Sequence, residues 1–247
     1  MTQSLYMIRF LIDTVRFYDF AKRRGLLSNS CDDGYAVHSL VSELWGEMAP
    51  KPFFVSGGES RYLTVLAYST SSKSKFIEHA QAFADPSCYE VVKWEHFSEK
   101  QMPSDWGNGL VLGFKVRVCP IKRSSKNSSG GEKDAYLAHI EYTKSLGDDS
   151  SQSMTRFDVY KEWLKEQLEK NDSVRVEKVG VDAFQFTKFQ RRNQKRKVAI
   201  LERPDVVLKG VLRILDGKSF CSLLERGVGR HRSFGFGMLL LHPIEGG

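Results

Sequence analysis

The sequence predicts an α+β protein made of two tandem ferredoxin-like (βαββαβ) modules. Strand and helix patterns follow each other in that order over residues 6–97, and the same order recurs, with insertions, in the second half. The segment 98–109 separates the halves, so we expect domains at residues 1–105 and 106–247. A chain of 247 residues with 41% apolar residues can bury a substantial core.

The first half supplies each element of one module. Apolar runs rich in β-branched and aromatic residues predict strands, and apolar residues that recur at helical spacing predict helices. Strands are expected at Tyr6–Ile12, Lys51–Val55, Tyr62–Tyr68 and Tyr89–Phe97, and helices at Gly34–Met48 and Lys73–Phe83. The basic segment Thr14–Gly25 fits either a helical turn or a structured loop.

The second half repeats the pattern with longer connections. Helices are expected at Phe157–Glu169 and Ser219–Arg226, and strands at Leu110–Val118, Val198–Leu201, Val206–Ile214 and Met238–Leu241. Val174–Val181 and Phe184–Phe189 form two strands or one bent strand, and Tyr136–Thr143 fits a strand or a helix. Ser124–Lys133 is rich in serine, glycine and lysine and predicts a loop.

Composition favours a polyanionic partner. The net charge is +7 and the pI about 9.2, and a dense basic run occupies Gln190–Lys197. The four cysteines are scattered without a Cys-x-x-Cys pair, and the histidines lack metal-like spacing, so we expect neither a zinc site nor a disulfide framework. Charges within Met1–Phe20 argue against a signal peptide, and no apolar run is long enough to span a membrane. We therefore expect a soluble cytoplasmic protein.

A glycine-rich segment precedes the last predicted strand. It reads Gly227-Val-Gly229-Arg230-His231-Arg232-Ser-Phe-Gly235-Phe-Gly237. Glycines allow close backbone approach and the basic insert supplies charge, which favours a loop that lies against a phosphate backbone. A plain structural turn remains the alternative. No Gly-Lys-Ser/Thr follows, and a helix pattern precedes the segment, which argues against a P-loop and a dinucleotide fingerprint.

Four further or repeated features stand in order along the chain: Tyr35-Ala-Val-His38 on the first helix, the strand segment Gly113–Lys122, the strand segment Lys209–Ile214, and the loop Gly227-x-Gly-x₅-Gly-x-Gly237. Together they resemble the RAMP superfamily of CRISPR-associated endoribonucleases, of the CasE type found in type I-E Cascade. The resemblance covers almost the whole chain. It implies two ferredoxin-like (RRM-like) folds that bind the hairpin of a CRISPR repeat RNA, cleave the precursor at the 3′ base of the hairpin without a metal or other cofactor, and remain with other Cascade subunits. Target DNA is then a partner only through the complex.

The resemblance assigns the chemistry to His38 and Tyr35. Cleavage without metal uses the RNA 2′-hydroxyl as nucleophile and leaves a 2′,3′-cyclic phosphate and a 5′-hydroxyl. Histidine suits the proton transfers because its ordinary pKa of about 6.5 is close to neutrality. We expect His38 to be a general acid or base, with both roles open, and Tyr35 to contact the ribose or phosphate or to position His38.

Basic residues of the second half are the candidate RNA contacts. Arg191, Arg192, Lys195, Arg196 and Lys197 are expected on the hairpin stem, where shape and phosphate contacts dominate recognition. Arg117 and Lys122 are expected to guide the strand near the scissile phosphate. Arg230, His231 and Arg232 are expected to contact RNA beside the glycine loop, and the cations around His231 should disfavour its protonated form.

Two other functions remain open. A non-catalytic RNA-binding scaffold subunit of a CRISPR effector complex would have the same glycine loop, and the pair Tyr35 and His38 is what favours the enzyme. A tandem ferredoxin-like protein that binds a protein or a small acidic ligand is the third possibility. RNA binding should weaken steeply with salt, which separates that possibility from the other two.

Overall fold

The computed structural model describes residues 4–26, 33–57, 61–123, 131–145, 154–192 and 198–244. The first module contains β1 (Tyr6–Asp13), α1 (Thr14–Arg23), α2 (Asp33–Trp45), β2 (Phe53–Ser56), β3 (Tyr62–Ser69), α3 (Lys73–Phe83), α4 (Pro86–Tyr89) and β4 (Val92–Gln101). Its strands pair antiparallel in the order β2-β3-β1-β4, which is the ferredoxin-like arrangement.

The second module repeats this topology with insertions. It contains β5 (Val111–Val118), β6 (Ile121–Arg123), β7 (Glu132–Asp134), α5 (Ala135–Ser145), α6 (Arg156–Glu169), β8 (Val174–Arg192), β9 (Val198–Ile214), α7 (Gly217–Arg226) and β10 (Leu239–His242). The main sheet has the antiparallel order β10-β5-β9-β8, and β6 pairs with β7 in a separate hairpin. The predicted fold class is confirmed. The exact boundary at residue 105 stays a prediction within the segment that connects β4 to β5.

Most elements agree with the sequence patterns, and three open alternatives are resolved. Thr14–Arg23 and Ala135–Ser145 are helices, and Val174–Arg192 is one strand with register shifts near Val176 and Val181. The short helix Pro86–Tyr89 was not predicted; the Asp85 carboxylate caps it by accepting from the Ser87 amide at 2.8 Å.

The largest departure lies in β9, which the sequence divides into two strands around Pro204. In the structure the strand continues through Pro204, which pairs with Phe186. The partner strand β5 pairs with β9 only from Val206 onward, so Pro204 stands in a two-stranded arm where β9 has a neighbour on one side. Such a position suits proline, because a strand with one neighbour has a side on which no ladder N–H is required.

Each module has its own core, and the predicted helix faces supply it. Val37, Val41, Leu44 and Trp45 of α2 are buried in the first, and α6 buries Val159, Tyr160, Trp163, Leu164 and Leu168 in the second. The two modules also pack together. Leu66 and Tyr68, on the face of β3 that points away from the first core, contact the second core, and the Tyr68 hydroxyl donates to the Leu239 carbonyl at 3.0 Å. This contact fixes α2 relative to the loop before β10.

Candidate functional site

The glycine loop, residues 227–237, joins α7 to β10 and is closed by its own backbone. All four glycines have positive φ angles, from +70° to +84°. The Val228 amide donates to the Gly237 carbonyl at 2.9 Å, and the Gly237 amide donates to the Arg117 carbonyl at 2.7 Å. A Cβ at Gly237 would lie 2.3 Å from the Val228 oxygen, so this position requires glycine for both space and conformation.

The loop reaches across to the first module. Its residues Arg232–Phe234 form a 3₁₀ turn, and the Phe234 ring lies 5.0 Å from the ring of His38 and 5.7 Å from that of Tyr35. A Cβ at Gly235 would lie 3.3 Å from the Phe53 ring of β2, which shows how closely the loop backbone approaches this side chain. The structure therefore brings together the helix and the loop that the sequence singled out separately.

A cleft of about 800 Å³ lies between these two elements. It combines side chains from the α2 region, from the hairpin of β6 and β7 (the insertion hairpin), from α7 and from the glycine loop. The lining residues are His38, Lys51, Glu132, Ser222, Glu225, Arg226, Gly229, Arg230, His231, Arg232, Ser233 and Phe234. Cations outnumber carboxylates in this set, so the cleft suits an anionic ligand.

His38 lies in the middle of α2 and is half-buried. The Ser42 hydroxyl, one helical turn further on, lies 3.4 Å from its Nδ1. Burial, and then the positive charge of Lys51, lower the pKa of His38 below its ordinary value of 6.5. A neutral imidazole next to the cleft can accept a proton at neutral pH.

His231 faces a carboxylate from the insertion hairpin. Its Nε2 lies 3.3 Å from Glu132 Oε2, and the two side chains are 18% and 13% exposed. Glu132 also pairs with Arg230, with Nε to Oε1 at 2.8 Å. The pKa of His231 is lowered, as the sequence predicts, but burial is the main cause; Glu132 opposes the shift, and Arg203 and Arg230 add to it.

Tyr35 is placed beside the cleft and does not line it. The tyrosine is half-buried at the start of α2 and packs against Phe234 and the first core. Its position one turn before His38 agrees with the predicted spacing. A positioning role through Phe234 fits this geometry better than direct contact with a ligand in the cleft.

Arg117 and Lys122 also stand outside the cleft lining. Arg117 is 13% exposed, donates to both Asp205 oxygens at 2.8 and 2.7 Å, and lies over the Phe236 ring at 4.4 Å. These contacts make it an anchor of the glycine loop in the structure. Lys122 is half-exposed and lies 3.7 Å from Glu166.

The basic run falls on a two-stranded arm. β8 and β9 continue as a pair beyond the rest of the sheet, to Arg192 paired with Val198. Arg191 and Arg192 are on the end of β8, whereas Lys195, Arg196 and Lys197 lie outside the described residues. The described end of the arm, which includes Arg191 and Arg192, thus lies beyond the point where β5 pairs with β9.

Several residues of the cleft were not predicted from the sequence, among them Lys51, Glu132, Arg226 and Phe234. Phe234 had a signal, since it stands inside the glycine segment. Lys51 and Glu132 had none, because each reaches the cleft from an unrelated segment and only the folded chain brings it there. Glu132 comes from β7, within the stretch that the sequence predicts as a loop.

Within the described ranges, no group of three or more His, Cys, Asp or Glu side chains is arranged to hold a metal ion. Cys88, Cys119 and Cys221, the cysteines among those ranges, are free thiols. In the part of the chain that the structure describes, no helix has both the length and the apolarity to cross a membrane.

Comparisons with known proteins agree with this fold. A protein-family profile described as "CRISPR associated protein" matches residues 5–243. Among curated proteins, none matches the sequence.

Solved structures share the fold at low sequence identity. A CRISPR endoribonuclease Cse3 bound to 19-nucleotide RNA has a TM-score of 0.63 and 17% identity, covering 96% of this chain and all of that one. The CRISPR-associated protein Cas6e from Escherichia coli K-12 has a TM-score of 0.57 and 18% identity, over 97% and 100% of the two chains. A chain of a CRISPR RNA-guided surveillance complex in a pre-nicking state has a TM-score of 0.58 and 12% identity, again over 97% and 100%. At these identities the likeness shows the fold.

Proposed function

The chain belongs to the family of CRISPR-associated proteins, and from that premise we propose that it is a metal-independent endoribonuclease that processes precursor CRISPR RNA. It binds the stem-loop of a CRISPR repeat and cleaves at the 3′ base of the hairpin. The observation that carries this proposal is the cleft in which His38 of the first module meets the basic glycine loop of the second. The solved relatives described as endoribonucleases support it.

The proposed reaction uses groups that this cleft supplies. The 2′-hydroxyl attacks the adjacent phosphorus, and His38 takes part in proton transfer, as its lowered pKa and its place at the cleft allow. Arg226, Arg230 and Arg232 would neutralise the phosphate, whose charge increases toward the transition state. Tyr35 would hold Phe234 and His38 in position. The products would be a 2′,3′-cyclic phosphate and a 5′-hydroxyl.

The stem of the hairpin is proposed to lie along the arm of β8 and β9. A two-stranded ribbon with a basic end suits an RNA helix, which is recognised mainly through its phosphates and shape. Arg191, Arg192, Lys195, Arg196 and Lys197 are the proposed stem contacts, and His231 with its neighbours would contact RNA at the cleft. Lys122 would add a contact near the scissile phosphate. Arg117 would act indirectly, by anchoring the glycine loop on Asp205.

After cleavage the protein is proposed to keep the hairpin and to join an effector complex of the Cascade type. The shared fold of a chain within an RNA-guided surveillance complex supports this proposal. Its partners would be the mature CRISPR RNA and other Cascade subunits, with target DNA reached through the complex.

The test is cleavage of the repeat hairpin RNA from the CRISPR array of the source genome, in EDTA, with analysis of the product ends. We expect a 2′,3′-cyclic phosphate from the wild type. His38→Ala should retain hairpin affinity within about threefold and lose about 10²–10⁴-fold in the single-turnover rate constant, the usual contribution of a general acid or base. Tight binding without any product from the wild type would instead identify a scaffold subunit.

A further inference from the structure

Two histidines line the cleft, one from each module. His38 comes from α2 and His231 from the glycine loop, and their rings lie 5.0 and 6.1 Å from the same Phe234 ring. An RNA contact alone does not explain an imidazole at position 231, because an arginine binds phosphate at least as well. What an imidazole adds is the ability to give up a proton near neutral pH.

The backbone at His231 is held in an unfavourable conformation. Its φ of +60° is left-handed, a conformation that non-glycine residues adopt uncommonly and at an energetic cost. The loop uses glycine at four other positive-φ positions, yet histidine stands here. Because backbone strain of this kind clusters at functional sites, the side chain at this position is a candidate for a function that glycine cannot supply.

The two histidines differ in one neighbour: a carboxylate lies beside His231, whereas the charged group beside His38 is a cation. His231 faces the Glu132 carboxylate of β7 at 3.3 Å, together with the cations Arg203 of β9 and Arg230 of its own loop. His38 faces the Lys51 cation and the neutral Ser42 hydroxyl. A carboxylate favours the protonated form of an imidazole, whereas an ammonium group favours the neutral form.

We propose that His231 is the second proton-transfer residue of the cleft, the general acid held in place by Glu132, and that His38 is the general base. This inference rests on the proposed endoribonuclease function. It takes His231 beyond RNA binding and assigns the role of His38 that the sequence leaves open.

The proposed reaction combines one bond formed and one bond broken at phosphorus with two proton transfers. The proton of the 2′-hydroxyl moves to a ring nitrogen of His38 as the 2′-oxygen bonds to phosphorus. The bond from phosphorus to the 5′-oxygen breaks, and the proton carried by His231 moves to that oxygen, which leaves as a 5′-hydroxyl. His38 ends as imidazolium and His231 as neutral imidazole. Exchange of one proton with water at each residue restores the starting state.

This pair predicts a bell-shaped dependence of the saturated rate constant on pH. The rate constant rises with pH as His38 loses its proton, and it falls at higher pH as His231 loses its own. In the protein without RNA, burial lowers the pKa of both His38 and His231, and the negative charge of a bound phosphate opposes that shift. Removing the carboxylate with Glu132→Gln destabilises the imidazolium of His231, so the falling limb should move to lower pH.

The experiment uses the full-length protein and the repeat hairpin in two forms, natural RNA and RNA with sulfur replacing the bridging 5′-oxygen at the scissile phosphate. The test variant is His231→Asn, since asparagine tolerates the left-handed backbone and carries no transferable proton. We expect it to cleave natural RNA about 10²–10⁴-fold more slowly at saturating protein, and to lose the falling limb of the pH profile. It should recover most of the rate on the sulfur substrate, because a thiolate leaves without protonation. His38→Ala should not recover.

The control is His96→Asn, which removes an exposed histidine of β4 outside the cleft lining and should change neither rate. If His231→Asn weakens binding yet cleaves natural RNA at the wild-type saturated rate while His38→Ala is inactive, the inference is wrong and the proposed function stands. A slowed variant that the sulfur substrate fails to restore also overturns the acid role. A wild type that binds and never cleaves overturns the proposed function itself.

Discussion

The two modules have the same strand order, β2-β3-β1-β4 and β8-β9-β5-β10, but they differ in what they add to it. The first adds short helices, and its strands span four to ten residues. The second lengthens its central hairpin to strands of 19 and 17 residues, inserts β6 and β7, and ends in the glycine loop. We call the first the plain module and the second the elaborated module. The proposed proton acceptor, His38, is on the plain module, whereas every cation proposed to bind the substrate is on the elaborated module.

The same scaffold therefore serves two purposes, holding a reacting side chain in the first module and binding a long polyanion in the second. A helix packed on a sheet holds a side chain precisely, which suits a residue that must meet one reacting atom. Extended hairpins and loops cover more surface, which suits a long polyanion. Ion pairs hold the added parts of the second module in place: Arg117, which contacts the glycine loop, pairs with Asp205, and Glu132 of β7 pairs with Arg230.

The largest expected effect is on the anchor of the elaborated module. Asp205→Ala leaves the Arg117 guanidinium, only 13% exposed, without its bidentate partner, and also removes the acceptor of Gln185 at 2.8 Å. Breaking a buried pair from one side costs about 3–5 kcal/mol. We expect that loss in the free energy of unfolding, measured by urea denaturation.

Asp13 of the first module is the matched control. Its carboxylate is equally buried, caps α1, and lies 3.8 and 3.6 Å from Arg61 and Lys93. These cations are more exposed and regain water when the carboxylate is lost, so Asp13→Ala should cost only the cap, about 0.5–2 kcal/mol. A larger loss at Asp13 than at Asp205 would contradict the view that the second module depends more on its ion pairs.

The sequence already contained much of the fold and part of this site. Apolar periodicity located α2 and α6, and local motifs identified His38 and the glycine loop. The pairing of Arg117 with Asp205 was not readable, because the two residues are 88 positions apart and meet only across adjacent strands. Glu132 was missed for the same reason. Local patterns predict elements, whereas the partner of a charge depends on the register of the sheet.

The next effect is on affinity and concerns the basic end of the arm. Replacing its cations by glutamine should lower affinity for the repeat hairpin about 100-fold at moderate salt, and should flatten the dependence of log Kd on log salt. The replaced residues are Arg191, Arg192, Lys195, Arg196 and Lys197. Titration of labelled hairpin over a range of salt concentrations measures both quantities.

The control is a set of replacements in the first module. The two sets can differ in size, because the change in the slope of log Kd against log salt is divided by the number of cations replaced. The control replaces exposed cations of the plain module: Lys22, Arg23, Lys75 and Lys100. We expect their slope per charge to be much smaller. Equal slopes per charge would mean that RNA contacts both modules alike, and would contradict the proposal that the second module supplies the RNA-binding cations.

The smallest expected effect concerns Lys122, whose pair with Glu166 is exposed on both sides. Exposed pairs contribute little, so Lys122→Ala should change the free energy of unfolding by less than about 0.5 kcal/mol. If Lys122 guides RNA, its loss should still weaken hairpin binding about twofold to fivefold, since one phosphate contact is removed. Glu166→Ala separates the two roles: it breaks the same pair but keeps the cation, so affinity should hold or rise slightly. Equal weakening by both variants would show that the pair matters only through local structure and that Lys122 does not contact RNA.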